Sequence, residues 1–238
     1  MPTGAVGGLA PPPPPWLGDP AYTCLEAMFG HASGTFELRL SRRDGGPTTI
    51  HHYQSPQGLT LAAEFALSRS RWNRVSVGTL VRHHGHVHRL AAPFLACHLR
   101  AVDGTSGETR TMRGLGELAR QGWPPTLVAR LPGGDRLAVW TFSQPVYLDD
   151  PQRRDAVYRA NLALCARIVH PDAIAGAGVI PVELPLPGVV RPTASDGRAM
   201  NSVGPVSYRV YHLHDFSELV RSAGSLPRGR ATTPGGGA

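Results

Sequence analysis

Two segments of alternating apolar residues, 126–131 and 137–142, flank the turn-forming sequence PGGD at 132–135. Successive side chains of a β-strand point to opposite faces, and Pro, Gly and Asp favour a tight turn between two strands. The pattern therefore predicts a β-hairpin, which makes the two segments neighbouring antiparallel strands. We expect a sheet that is at least partly antiparallel.

The remaining elements alternate between helix and strand. Helical spacing of apolar residues or flanking turn residues predicts helices at 21–29, 58–68, 114–121, 151–169 and 215–220. Alternation and β-branched residues predict further strands at 36–40, 48–53, 74–81, 94–102 and 206–211. This mixture indicates an α+β domain.

The composition supports one globular domain with two unstructured ends. Hydrophobic residues make up 41% of the chain and charged residues 17%, a balance typical of a protein with a buried core. Residues 1–19 contain a run of five prolines, and residues 222–238 show no periodicity. We therefore expect a Pro/Gly-rich disordered arm at 1–19, a domain at 20–221 and a disordered tail at 222–238.

Cysteine content and hydropathy bear on the compartment. Cys24, Cys97 and Cys165 are odd in number and far apart, which favours buried free thiols over a disulfide framework. No apolar run approaches the ~20 residues needed to span a bilayer, and no signal peptide is recognisable. The expectation is a cytoplasmic protein without a membrane partner.

The chain is basic, and the charge has two explanations. The net charge is +7, and all 24 basic residues are Arg. A basic protein suits a polyanion because its side chains displace counterions from phosphate. Exclusive use of Arg also suits a GC-rich genome, so the charge alone leaves nucleic-acid contact and compositional bias open.

Four segments resemble landmarks of one known family. Residues 73–82 (NRVSVGTLVR) are similar to a strand reading Asn-Val-Tyr-x-Gly-Val before an Arg, and residues 98–104 (HLRAVDG) fall where an apolar strand ends in Asp-x-Asp. Residues 125–146 resemble a Ser-Gly-x-Gly-x-His hairpin with a Trp strand, and residues 184–190 (LPLPGVV) resemble an Arg-x-Pro-Gly-Thr element. In this order, they resemble the archaeo-eukaryotic primase-polymerase domains of plasmid and phage replication proteins.

The resemblance implies an α+β fold, with a mixed or antiparallel sheet flanked by helices, and a two-metal site. In such enzymes two carboxylates one residue apart share a strand face and, with a third acid, hold two divalent ions. Alignment to the motif puts Ala101 at the first acidic position and Asp103 at the second. Asp172, after the long helix, is the candidate for the third acid.

The nucleotide-binding hairpin of the family is only partly present. Leu137 occupies the position of the phosphate-contacting His and Pro132 that of the Ser, whereas Gly133 and Gly134 are kept. Leu cannot donate a hydrogen bond to a phosphate oxygen. The resemblance thus implies a nucleotide loop at the two glycines and impaired or absent catalysis, with Mg²⁺ or Mn²⁺ as cofactor only if the chain is active.

An alignment shifted by one or two residues would restore acids to the site. Glu108, Asp135 and Glu183 are the nearby carboxylates that would then replace the assigned positions. Whether the chain is an enzyme is therefore left open. Asp103 and Asp172 are carried forward as remnant catalytic residues.

The segment between residues 82 and 89 is unusually cationic. It contains Arg82, His83, His84, His86, His88 and Arg89. The segment is interpreted as a basic loop that contacts phosphate, as an ordinary surface loop, or as a metal site at His86 and His88, which no acid or Cys accompanies at ligand spacing. We predict nucleic-acid contacts at Arg82, His83, His84, Arg89 and Arg191, and no bound metal.

These observations predict a replication-associated, primase-polymerase-like domain that binds DNA or a replication partner, with impaired or absent nucleotidyl transfer. An active metal-dependent primase or polymerase is the first alternative. A non-enzymatic adaptor module without affinity for nucleic acid is the second.

Overall fold

The computed structural model describes residues 19–42, 44–70, 73–83, 89–99, 105–131, 135–168, 183–187 and 207–223. Helices are α1 (Pro20–Phe29), α2 (Leu59–Arg69), α3 (Thr105–Arg120), α4 (Pro151–Ile168), a 3-10 helix (Leu213–Phe216) and α5 (Ser217–Ala223). Strands are β1 (Gly34–Arg42), β2 (Thr48–Ser55), β3 (Asn73–Gly78), β4 (Val81–His83), β5 (Arg89–Leu99), β6 (Leu127–Arg130), β7 (Arg136–Tyr147) and β8 (Glu183–Pro185). The α+β class is confirmed.

All strand pairs formed by the described residues are antiparallel. The strands follow the order β6-β7-β5-β4-β1-β3-β8, and β2 pairs with β1 as well. The predicted hairpin at residues 126–142 is present as β6 and β7. A second hairpin joins β1 and β2, as the sequence predicts for residues 36–53.

The strand predicted at residues 74–81 is divided in two. β3 ends at Gly78 and β4 begins at Val81, and both pair with the same strand, β1. On their other side β3 pairs with β8, whereas β4 pairs with β5. The break at Thr79 and Leu80 is thus a fork at which the sheet changes neighbours.

Two hydrophobic cores lie on opposite faces of this sheet. The first contains α1 and α2 and includes a stacked pair, Phe29 and Phe36, with ring centroids 4.5 Å apart. The second contains α3, α4 and α5 and packs around the fully buried Trp140 and Tyr211. The central strands β5 and β7 contribute to both cores and are therefore covered on both faces.

A bulge in the pairing of β5 with β7 changes the face to which the side chains of β5 point. The pairing with β7 shifts register between Ala92 and Phe94, around Pro93. Before the bulge Ala92 belongs to the second core, and after it Phe94 and Ala96 belong to the first. Across this shift β5 advances by two residues, whereas β7 advances by five, from Val146 to Thr141, so the regular alternation of β5 side chains is interrupted at Pro93.

Helix α4 is tied to β5 by a buried amide. The Oδ1 atom of Asn161 accepts a hydrogen bond of 3.0 Å from the backbone nitrogen of Ala96. Within the described residues, β4 pairs with β5 only as far as Ala91, so the outer edge of β5 beyond that point has no neighbouring strand. Asn161 supplies the acceptor that a strand would otherwise provide.

The segment predicted as a strand at residues 206–211 makes a single bridge. Tyr211 pairs with Phe142 in parallel orientation, and its backbone nitrogen and oxygen bond to Thr141 and Ser143. The Oγ1 atom of Thr126 donates to the carbonyl of Arg209 and accepts from the nitrogen of Thr141. These side-chain hydrogen bonds take the place of some of the backbone hydrogen bonds that a paired strand would make.

The cysteine prediction is confirmed, since Cys24, Cys97 and Cys165 are free and buried. Burial is the main cause that raises the pKa of Cys97, and its neighbour Cys165 adds to it.

Asp19 caps α1 by accepting hydrogen bonds from the first helical nitrogens. The predicted domain limits remain a prediction.

Gly34 is the residue at which the fold places the strictest demand on the backbone. Its φ is +123°, and a Cβ there would lie 2.7 Å from the carbonyl oxygen of Arg82. We predict that Gly34→Ala lowers the free energy of unfolding by about 1–3 kcal/mol, because L side chains are strained in this region. Denaturant unfolding measures the loss.

Gly116→Ala is the matched control, because a Cβ at this exposed α3 position meets nothing within 4 Å. Ala favours helix over Gly by roughly 0.5–1 kcal/mol, so this variant should be neutral or stabilised. Equal losses in both variants would refute the backbone explanation.

Candidate nucleic-acid interface

Six of the predicted site residues lie outside the described residues. They are Asp103, Asp172, Gly133, Gly134, His84 and Arg191. Their roles remain predictions. The other three, Arg82, His83 and Arg89, are described, and so are the strand ends that border the predicted catalytic segment.

The bordering strand ends carry a paired histidine and aspartate. His98, the penultimate residue of β5, is opposite Leu137 of β7 in the sheet register. Its Nε2 atom lies 2.9 Å from Oδ2 of Asp135, and the side chains are 34% and 28% exposed. His98 is two residues beyond Ala96 in the strand, so its side chain points to the same face as that of Ala96, the face that carries α1 and α2.

This pair lies next to the segments in which the resemblance places catalysis. Asp135 directly follows Gly134, and His98 precedes Asp103 by five residues. An imidazole and a carboxylate can exchange a proton or offer two ligands to a divalent ion. Across the described part of the chain, no group of three or more His, Cys, Asp or Glu residues is placed to hold a metal.

Sequence motifs point to Asp135 as a substitute acid but not to His98. A signal was present, because His98 is the only polar residue in the otherwise apolar run 90–99. A polar side chain in a strand buried on both faces marks the place where burial ends. Exposure at the strand end, rather than a motif, identifies this residue.

Arg82 lies in β4 and forms a salt bridge within the domain. Its Nε and Nη2 atoms donate to Oε1 of Glu37 at 3.2 and 2.9 Å. Arg39 uses the same two atoms on Oε2 of Glu37, at 3.2 and 2.8 Å. A carboxylate that is only 10% exposed is therefore held between two guanidinium groups.

The charge of Glu37 depends on these two arginines. Burial alone would raise the pKa of Glu37, but hydrogen bonds and charges of Arg39 and Arg82 outweigh it and hold the pKa below its usual range. Glu37 in turn raises the pKa of Arg39. The carboxylate is ionised at neutral pH and fixes the direction of both guanidinium planes.

His83 and Arg89 are the other two described residues of the predicted cationic segment. They are opposite each other in the register between β4 and β5. Arg89 donates from Nε and Nη2 to Oδ2 of Asp149 at 3.0 and 2.7 Å, and its guanidinium carbon lies 4.1 Å from the ring centroid of Tyr147. The ring of His83 lies 5.1 Å from the same Tyr147 ring.

The described residues of the cationic segment are divided between the two faces of the sheet. Arg82 and His83 are adjacent in β4, so their side chains point to opposite faces of the sheet. Arg82 is opposite Leu90 in the register with β5, and His83 is opposite Arg89. The sequence predicts one surface at these residues, but β4 directs Arg82 toward α4 and His83 toward the opposite face. Arg82 and Arg89 each already hold a carboxylate.

A cavity of about 390 Å³ lies at the fork between β3, β4 and α4, and we call it the fork cavity. Its polar lining is Glu37, Arg39, Thr79, Arg82, Arg154 and Tyr158, and its other lining residues are Gly78, Leu80, Leu90, Leu148 and Val157. Three arginines and one glutamate give this lining a formal charge of +2.

A wider depression of about 790 Å³ lies between the end of β7, α4 and α5. Its basic lining residues are Arg153, Arg159, Arg221, His212 and His214. Arg159 is paired with Asp155 at 2.8 Å, and the rings of His212 and His214 stack at 5.3 Å. Basic side chains therefore border both cavities next to α4.

We predict that Glu37→Gln lowers the free energy of unfolding at pH 7 by about 1–3 kcal/mol, because an amide cannot satisfy two guanidinium groups. Asp44→Asn is the control, since Asp44 pairs with Arg42 on the surface, 58% exposed, and should change stability little. Chemical denaturation of both variants measures the difference.

The same comparison has a defined pH dependence. The pKa of Glu37 is lower in the folded than in the unfolded protein, where it is about 4.3. The stabilisation is therefore complete above that value and is lost as the pH falls through the folded pKa. The gap between wild type and Glu37→Gln should shrink below about pH 4, and a gap that widens there would contradict the assignment.

Comparisons with known proteins identify the fold but no sequence relative. No protein-family model matches the chain, and no curated protein matches it. In the described part of the chain, no helix is long and apolar enough to cross a membrane.

Solved structures do match. The catalytic domain of primase RepB′ in complex with initiator DNA superposes with a TM-score of 0.54 at 13% identity, over 86% of this chain and 92% of that chain. A second structure of primase RepB′ gives a TM-score of 0.52 at 10% identity, and this chain covers 60% of its length. The AEP domain of the cyanophage S-2L primase-polymerase gives a TM-score of 0.47 at 15% identity, over 79% of this chain and 89% of that chain. This chain therefore has the fold of a primase catalytic domain, as the sequence resemblance predicted.

Proposed function

We propose that the chain is a cytoplasmic, primase-like replication domain of a plasmid, a phage or an integrated element, that it binds DNA, and that its nucleotidyl transfer is impaired or absent. Residues 20–221 form the domain in this proposal. The observation that carries it is the superposition on the primase RepB′ catalytic domain over 86% of the chain.

DNA binding is supported by charge and by that structural likeness. The RepB′ domain was crystallised with initiator DNA, and this chain has a net charge of +7. In the described residues, cationic side chains cluster beside α4 and at the β4–β5 pair. Basic surfaces of this kind bind nucleic acid by releasing counterions.

Impaired catalysis is supported by what stands in the place of acids. Alignment gives a single carboxylate, Asp103, where a pair is needed, and Leu137 where the hairpin has a histidine. Leu137 is fully buried, so it belongs to the core and not to a phosphate site. The neighbouring His98–Asp135 pair offers one carboxylate and one imidazole.

DNA affinity should fall steeply with salt. If the domain neutralises three or more phosphates, a single-stranded oligonucleotide should bind at least about tenfold more weakly at 200 mM than at 50 mM salt. Fluorescence anisotropy across a salt series measures this. Absence of binding at 50 mM salt would favour the adaptor module instead.

Two matched variants test the β4–β5 surface. Arg89→Gln should weaken DNA binding about threefold or more, because Arg89 contacts phosphate in this proposal. Arg42→Gln is the control, because Arg42 is also ion-paired and exposed but lies seven residues along β1 from Thr35, which pairs with Arg82. Equal effects of both variants would indicate nonspecific attraction and remove Arg89 from the interface.

Catalysis is tested by primer synthesis and primer extension on single-stranded templates with Mg²⁺ or Mn²⁺. We expect no template-dependent product. If product forms, Asp103→Ala should abolish it, and the alternative of an active primase or polymerase then replaces the impaired one. The DNA-binding part of the proposal is unaffected by that outcome.

A replication partner is the remaining part of the proposal. A copurification experiment with the replication proteins of the same element tests it, using wild type and Arg89→Gln in parallel. Capture that persists in the variant while DNA affinity falls separates a protein partner from DNA-mediated association.

A further inference from the structure

The fork cavity is separate from the strand end at which the family resemblance places catalysis. Leu90 lines the cavity, whereas His98 lies eight residues further along β5, about 26 Å away for an extended strand. The bulge at Pro93 also puts the two residues on opposite faces of the sheet. Within the described residues, the lining of this cavity therefore shares no residue with the strand end that borders the proposed catalytic segment.

The polar wall of the cavity presents guanidinium groups in fixed orientations. Glu37 engages Nε and Nη2 of both Arg39 and Arg82, and its side chain is nearly buried. Each guanidinium has five N–H donors, so further donors remain after this pairing. Arg39 directs Nη1 toward Glu183 at 3.5 Å, and no ion pair between described residues uses Nη1 of Arg82.

A third cation stands on the opposite wall. Arg154 lies in α4, one helical turn from Tyr158, so both side chains are on the same face of the helix. Among the residues the structure describes, Arg154 forms no ion pair, unlike its neighbours Arg153 and Arg159. This wall therefore carries a positive charge available to an anion.

The floor of the cavity is apolar and partly open to water. Leu80, Leu148 and Val157 contribute to it, and Leu90 is 43% exposed. Tyr158 at the rim is 44% exposed. An exposed aromatic ring and aliphatic side chains beside three cations suit a ligand that has a flat apolar part and an anionic part.

We propose that the fork cavity binds one nucleotide unit, with the base against Tyr158 and the apolar floor and the phosphate between Arg82 and Arg154. Arginine forks match phosphate oxygens, and bases stack on exposed aromatic rings. The volume of about 390 Å³ lies within the range of small-molecule sites. The unit comes either from a free nucleotide or from single-stranded DNA.

Binding is measured by calorimetry with deoxyadenosine monophosphate and, separately, with a short oligodeoxythymidine. Arg154→Gln and Tyr158→Ala should each weaken at least one of these two ligands about tenfold, since the first removes a phosphate contact and the second a stacking surface. Arg167→Gln, on the same helix but outside the cavity, should change neither ligand more than twofold.

The two arms distinguish the source of the nucleotide. Weakening of the monophosphate identifies a free nucleotide, and weakening of the oligonucleotide alone identifies a unit of a strand. The monophosphate arm reads out even if the chain has no affinity for DNA, so its result does not depend on the proposed function.

Three outcomes would overturn the inference. They are saturable binding of neither ligand, equal effects of Arg167→Gln and Arg154→Gln, and competition by inorganic phosphate as effective as that by the monophosphate. The last result would mean that the base adds nothing and that the apolar floor plays no part. Thermal unfolding of all variants within about 2 °C of wild type confirms that the comparisons concern folded protein.

Discussion

The pairing of β5 with both β4 and β7 is the interaction on which the rest of the molecule depends. It joins a half of the sheet built on β1 to a half built on the β6–β7 hairpin, and it contributes residues to both hydrophobic cores. Since β5 is buried on both faces, α1 on one side and α4 on the other are positioned against the same strand. On its unpaired edge the backbone N–H of Ala96 donates to Asn161, which makes α4 part of the sheet's hydrogen bonding.

Electrostatics follow from this arrangement more than from net charge. The fork between β3 and β4 brings Arg82 beside Glu37, and the β5–β7 pairing brings Arg89 beside Asp149. Arg82 and Arg89 are therefore already oriented by an acid, which fixes the direction of each guanidinium and reduces its free charge. Arg154 lacks such a partner among the described residues, which is why the α4 side of the cavity carries the stronger attraction for an anion.

The sequence predicted the hairpins, the positions of α1, α2 and α4 and the class of fold, because period-two and helical patterns in buried segments are strong local signals. For α3 it predicted only the last part, 114–121, whereas the helix begins at Thr105. It did not predict the break at Thr79 and Leu80, since both pieces continue one apolar alternation and only the change of neighbours separates them. The segment at 206–211 alternates as a strand but finds a single bridge at Tyr211. For the candidate site, spacing put Arg82 and His83 together, whereas alternation in β4 divides them; His98 has no motif and was found only from its place at the end of β5.

Because of the bulge at Pro93, side chains at the two ends of β5 pack against different parts of the molecule. Leu90, before the bulge, lines the fork cavity on one face of the sheet, whereas His98, after it, pairs with Asp135 on the other face. Substitutions at these two positions therefore affect different sets of neighbours. Residues at the far end of the strand can therefore change, and with them the chemistry they offer, without altering the residues that line the fork cavity.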